Sequence, residues 1–280
     1  MATFTFTMYS HALHRYTDLT AIVPAEKPAF PGVPFDPDKP FRTIYLLHGY
    51  FGSHADWLRG SRIQQLAQQH RIAVICPTGE NSFYVDEPSR DANYATFLGE
   101  ELIEFSRRIF PLSRERKDTS IGGLSMGGYG AIRNGMKYNR VFGNIVALSS
   151  ALITDGISKM PDELPPAPKG GTQGGGGGMG MSPSYFVHCF GKPSKILGSD
   201  VDPKALASGL MASDGPRPNL YMACGEEDFL IEPNRSLHEH LVKIGYPHKY
   251  TEGHGTHAWE YWDPHIASAL DWLDELEKGE

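Results

Sequence analysis

Gly123-Leu124-Ser125-Met126-Gly127 places a serine between glycines two positions to either side, the G-x-S-x-G pattern of a sharp turn that lifts a hydroxyl out of a sheet. Small residues are needed there because the turn is tight and longer side chains would meet neighbouring backbone. A helix that begins just after the serine directs its free N–H groups and its positive dipole end at the place where an oxyanion would form. A serine hydroxyl is a weak nucleophile until a base removes its proton, so an imidazole held by a carboxylate must stand elsewhere in the chain. For a serine on such a turn the order expected is serine, then acid, then histidine.

The acid should follow a late core strand. Leu220 to Cys224 reads as that strand, and Gly225-Glu226-Glu227-Asp228 follows it, with Asp228 preferred and Glu227 and Glu226 as alternatives. The histidine should lie between the last strand and the last helix, where Gly253-His254-Gly255-Thr256-His257 leaves both His254 and His257 open. The aromatic cluster after His257 favours it, because rings there would fix an imidazole and wall off water.

The elements that would carry these residues are legible as apolar rhythm. Thr3 to Tyr9 alternates as a half-exposed strand and Leu19 to Val23 reads as its partner, an antiparallel N-terminal edge. Thr43 to Leu47, Ile72 to Cys76, Asn144 to Leu148 and Leu220 to Cys224 are continuous apolar runs, as expected of strands buried on both faces of a mostly parallel sheet. Helical spacing falls between them at Trp57 to Gln69, Ala95 to Phe110, Tyr129 to Tyr138, Asn234 to Ile244 and His265 to Glu277. The alternation predicts an α/β fold with helices on both faces of the sheet. One α/β domain spanning residues 1–280 is expected. Within it, residues 155–218 carry Pro161, Pro165, Pro166, Pro168 and the run GGTQGGGGGMGM, which predicts a mobile, cap-like insertion without regular structure.

Composition narrows the function. Forty per cent hydrophobic and 21% charged residues make a globular chain, and a formal net charge of −7 without a long basic run argues against a nucleic-acid partner. No apolar stretch approaches the ~20 residues of a membrane span, and the start lacks a basic region followed by an apolar block, so a soluble cytoplasmic protein is expected. Cys76, Cys189 and Cys224 are far apart and odd in number, which argues against a disulfide framework or a zinc site.

With these residues assembled, the chain resembles the esterase D-like family of α/β-hydrolases, closest to the tributyrin esterase branch. The likeness runs through YLLHGYFGSHADW (Tyr45 to Trp57), IGGLSMGGYGAI (Ile121 to Ile132), CGEEDFL (Cys224 to Leu230) and HAWEYWD (His257 to Asp263). That family also holds S-formylglutathione hydrolases, feruloyl and acetylxylan esterases and mycolyltransferases. The resemblance implies an α/β-hydrolase fold, with Ser125 as nucleophile, Asp228 as acid and His257 as base. It also implies an oxyanion hole from the backbone N–H of Met126 and of Tyr50, with Gly49 or Phe51 the second donor if the loop is offset by one. His48 is read as a structural turn residue.

The expected activity is a serine carboxylesterase acting on short-chain or aromatic acyl esters through an acyl-enzyme, with no metal or organic cofactor and a small-molecule ester as partner. Met126, Phe51, Phe83, Tyr84 and Trp259 are candidate pocket walls. An S-formylglutathione hydrolase or an acyltransferase on the same scaffold is the alternative; a catalytically dead binding module or a serine peptidase fits less well. Oligomeric state, a homo-oligomer included, is left open by these residues. If the glycine run is a flexible cover, shortening Gly174 to Gly178 should change acyl-chain preference more than thermal stability, which kcat/KM across acyl lengths beside melting temperatures will test.

Overall fold

A computed structural model of the chain describes residues 1–26, 36, 38–163 and 182–279. The alternating start forms β1 (Ala2–Ser10), which turns back as β2 (Arg15–Val23) with Thr5 opposite Thr20 and Tyr9 opposite Tyr16. The apolar runs become β3 (Arg42–Leu47) and β4 (Ile72–Pro77). A two-residue hairpin stands apart as β5 (Asp86–Glu87) and β6 (Ala92–Asn93). Then come β7 (Thr119–Leu124), β8 (Asn144–Leu148), β9 (Asn219–Gly225) and β10 (His248–Gly253). Eight of these join one sheet in the order β1-β2-β4-β3-β7-β8-β9-β10. Pairing is antiparallel from β1 through β2 to β4, and parallel from β4 to β10.

Helices cover both faces, as strands buried on both sides require. The first are α1 (Asp56–Gly60), α2 (Ile63–Gln69), α3 (Tyr94–Thr96), α4 (Leu102–Ile109) and α5 (Met126–Lys137). They are followed by α6 (Thr154–Ile157), α7 (Pro183–Phe190), α8 (Pro203–Met211), α9 (Ile231–Ile244) and α10 (Trp259–Lys278). Leu102 of α4, Ile132 of α5, Ala207 of α8 and Leu241 of α9 share one core. Trp57 of α1, Leu66 of α2 and Leu270 of α10 share the other.

Several expected boundaries move, each for a local reason. The helix expected over 57–69 breaks at Ser61, whose hydroxyl bonds back to the Trp57 carbonyl at 2.6 Å and accepts the Ile63 N–H at 3.2 Å. The one expected over 95–110 is α3 and α4 joined through a π-helical turn, Phe97–Glu101. α5 begins at Met126, directly after the serine, because tight packing rather than propensity holds its glycines in a helix.

The larger correction concerns the insertion. Residues 182–218, expected to lack regular structure, hold α7 and α8. Both begin with proline at the first helical position behind a capping side chain, Ser182 accepting from the Tyr185 N–H and Asp202 from the Lys204 N–H. Proline there is pre-organised for a helix, so residues that read as breakers are starters. The glycine run at 170–180, including Gly174 to Gly178, and most of the Pro-rich stretch 24–40 lie outside the described residues. Among the described residues no helix is long and apolar enough to cross a membrane.

Trp57 is fully buried and donates its indole N–H to the Leu47 carbonyl at 3.1 Å, tying α1 to the end of β3. Trp57→Ala is expected to destabilise the protein by about 3–5 kcal/mol in urea unfolding.

Candidate active site

Ser125 stands alone between the end of β7 and the start of α5, with φ +55° and ψ −119°. A non-glycine residue there is strained and persists only where the surroundings over-determine it. Its N–H donates to the Leu148 carbonyl at 2.9 Å, and its carbonyl accepts from the Tyr129 N–H at 3.1 Å and the Ala151 N–H at 2.9 Å. A Cβ at position 123 would lie 2.4 Å from the Gly127 carbonyl oxygen, and one at 127 would lie 2.4 Å from that of Leu47. The glycines of the motif are therefore required by close backbone approach on both sides of the serine.

Asp228 follows β9 in a turn closed by its own N–H to the Gly225 carbonyl at 3.1 Å. His257 follows β10. The structure brings all three side chains together. His257 Nδ1 lies 2.8 Å from one Asp228 oxygen and 3.1 Å from the other, while Nε2 lies 3.0 Å from Ser125 Oγ. An ionised carboxylate only accepts, so Nδ1 carries the proton and Nε2 is left to accept the serine hydroxyl. The ring is held by Phe229, with centroids 4.6 Å apart, and by the edge of Trp262 at 4.9 Å. Trp262 in turn donates to Ser149 Oγ at 3.0 Å.

The alternatives do not reach the serine hydroxyl. Glu227 accepts the Gly255 N–H at 2.6 Å and faces His254 Nδ1 at 3.0 Å, so this pair braces the loop leading to His257. His254 and Glu226 are exposed.

Among the described residues neither the Met126 N–H nor the Tyr50 N–H donates to a protein acceptor, and the Gly49 N–H is likewise unengaged. Phe51 differs, because its N–H donates to Asn81 Oδ1 at 2.9 Å. His48 is buried and locks this loop: its Nε2 accepts the Gly79 N–H at 2.8 Å, so Nδ1 carries the hydrogen donated to the Gly49 carbonyl at 2.7 Å. Burial pushes its pKa down, against the opposing Gly49 hydrogen bond, and favours the neutral ring this pattern needs.

Pocket walls require correction. Met126, Phe83 and Tyr84 are wholly buried and line no open surface. Tyr84 instead donates its hydroxyl to the His48 carbonyl at 3.0 Å, beneath the loop. Trp259 packs edge-on against Trp57 at 5.3 Å and covers Gly60. Phe51 is 81% exposed and, with Tyr50, Asn81, Tyr185 and Cys189, borders a cavity of about 690 Å³. Asn81 and Tyr185 carry no sequence signal of their own; a Ser-Pro helix start at 182–183 would have been the only pointer to α7, which holds Tyr185.

A mostly parallel sheet in this order, with a serine on the turn from β7 into α5, defines the α/β-hydrolase class. The Esterase family model matches residues 31–273. An acetyl esterase of Caldicellulosiruptor saccharolyticus is 41% identical over 276 residues, 99% of each chain. This chain belongs to that esterase family and is a carboxylic ester hydrolase. Among solved structures it is similar to a fluorophosphonate-binding serine hydrolase of Staphylococcus aureus, with TM-score 0.80, 28% identity and 97% and 98% of the two chains covered. An S-formylglutathione hydrolase of the same organism has TM-score 0.78 at 28% identity, with 97% of this chain and 98% of that one covered.

Burial works to raise the Asp228 pKa, but hydrogen bonds from His257 and the Leu230 N–H outweigh it and hold the carboxyl below its ordinary value. A depressed folded pKa contributes stability that is complete above the unfolded value of about 3.9 and lost as pH falls through the folded one. The stability difference between wild type and Asp228→Asn, read from urea unfolding, is therefore expected to shrink as pH falls below about 4.

Proposed function

We propose that Ser125, His257 and Asp228 act as a catalytic triad in a two-step acyl transfer. Ser125 Oγ attacks the ester carbonyl carbon while His257 Nε2 takes its proton, and Asp228 stabilises the imidazolium that results. The N–H groups of Met126 and Tyr50 receive the oxyanion. Collapse breaks the ester C–O bond, the alcohol leaves with the proton from His257, and an acyl-enzyme remains on Ser125. Water then repeats the steps, with His257 as base, and releases the acid. The observation that carries this reading is the unbroken line from Asp228 through His257 to Ser125 at 2.8 and 3.0 Å.

Short acyl groups, acetyl foremost, are the proposed substrates, supported by the 41% identical acetyl esterase. Hydrolysis of S-formylglutathione is the second reading, favoured by the structural likeness at 28% identity. We further assign the chain to one domain with residues 155–218 as a cap-like insertion over the sheet. A cytoplasmic location is also proposed, since disulfides are rare there and Cys76, Cys189 and Cys224 are all free thiols.

Ser125→Ala is expected to lower kcat on p-nitrophenyl acetate by at least about 10⁴-fold, and stopped reactions of the wild type should show one acetyl group on the Ser125 peptide by mass spectrometry. Retained turnover in Ser125→Ala sinks the reading. Comparing kcat/KM on acetyl, butyryl, feruloyl and S-formylglutathione substrates decides between the two substrate classes.

A further inference from the structure

The loop that carries the Tyr50 N–H is a tight turn, closed by the Gly52 N–H on the Gly49 carbonyl at 3.1 Å. Its third residue, Phe51, has φ +67°, the left-handed position that such a turn reserves for glycine. The Phe51 side chain is 81% exposed, so burial does not hold the backbone in this conformation. The Phe51 N–H instead donates to Asn81 Oδ1 at 2.9 Å.

Asn81 belongs to a loop that grips the turn's neighbourhood from below. The Gly79 N–H and the Tyr84 hydroxyl both bond to His48, and only Asn81 reaches the turn itself. This supporting loop is itself strained, with positive φ at Glu80, Phe83 and Tyr84. Its Asn81 carbonyl accepts the Tyr185 hydroxyl from α7 at 2.5 Å, which fixes Asn81 from the side of the cap-like insertion.

We propose that Asn81 is a positioning residue for the oxyanion hole: its side-chain oxygen holds the Tyr50–Phe51 peptide in a conformation that phenylalanine would otherwise leave, and so keeps the Tyr50 N–H aimed at the developing charge. The proposal rests on the catalytic reading above. Without the clamp the turn relaxes toward negative φ at Phe51, swinging the peptide planes around Tyr50. Binding of the ground-state ester depends little on that N–H, so the loss falls on kcat.

A complete oxyanion donor is worth about 10²–10³ in kcat, so loosening one should cost about tenfold in Asn81→Ala, with KM within about threefold of wild type. Asn81→Asp keeps an accepting oxygen and should recover to within about threefold. Phe51→Gly removes the conformational conflict, because glycine adopts positive φ freely; in that background Asn81→Ala should cost less than about threefold. Kinetics on p-nitrophenyl acetate and thermal midpoints of all variants make the test. The proposal is overturned by an unchanged kcat in Asn81→Ala, by a rise in KM alone, by an equal cost in both backgrounds, or by losses of kcat that merely track falling midpoints. Ser125→Ala separates the two claims: if it is inactive while Asn81→Ala is normal, only the clamp falls, and if it stays active the catalytic reading falls as well.

Discussion

Ser125 occupies a backbone conformation that an L-residue avoids, in a turn with no room for a Cβ at Gly123 or Gly127. Everything else in the molecule is arranged so that this turn has no alternative. β7 is paired on both sides, with Gly123 opposite Leu47 of β3 and Ala147 of β8, and α5 departs one residue after the serine. The Leu148 and Ala151 backbone holds the serine's own amide and carbonyl. Strain at one residue is thus carried by the cooperative pairing of a buried sheet, which fixes the hydroxyl of a residue only 4% exposed.

The same sheet sets the other partners. β9 and β10 run parallel beside β8, so the loops that leave their C-terminal ends come out on the same side as the serine turn. Asp228 and His257, separated from Ser125 by more than a hundred residues, are delivered to that side by strand order, and their own turns then aim them. Their pairing then stabilises itself electrically. Burial penalises the Asp228 charge, and the hydrogen bonds from His257 and Leu230 more than offset that penalty, so the carboxylate stays ionised and the imidazole keeps its proton on Nδ1.

Strain is distributed unevenly. Positive φ in non-glycine residues recurs at Phe51, Glu80, Phe83, Tyr84, Ser125 and Ser149, all in loops that leave the strands on the serine side or brace those that do. Elsewhere it is confined to turns such as His14 and helix ends such as Arg71. Two loops, 48–52 and 79–84, lock together through His48, Tyr84 and Asn81, and α7 closes on them through Tyr185. Helix α7 is therefore continuous with the framework of the site.

What the linear chain determined by itself is the local grammar. Alternation in Thr3 to Tyr9 specified an edge strand, continuous apolar runs specified buried parallel strands, and the Gly-x-Ser-x-Gly spacing specified the strained turn, because each follows from sterics and burial within a few residues. Chain order placed an acid after β9 and a histidine after β10. Tertiary structure decided the rest. The chain favoured Asp228, and the closing of the turn after Gly225 is what brings it, rather than Glu226 or Glu227, to His257. Only packing turns Tyr84 and Met126 from apparent pocket walls into buried support, and only the caps at Ser182 and Asp202 make helices of a stretch rich in proline. Asn81 illustrates the limit: an exposed asparagine in a loop acquires meaning from a partner thirty residues away, and periodicity holds no record of contacts made across a fold.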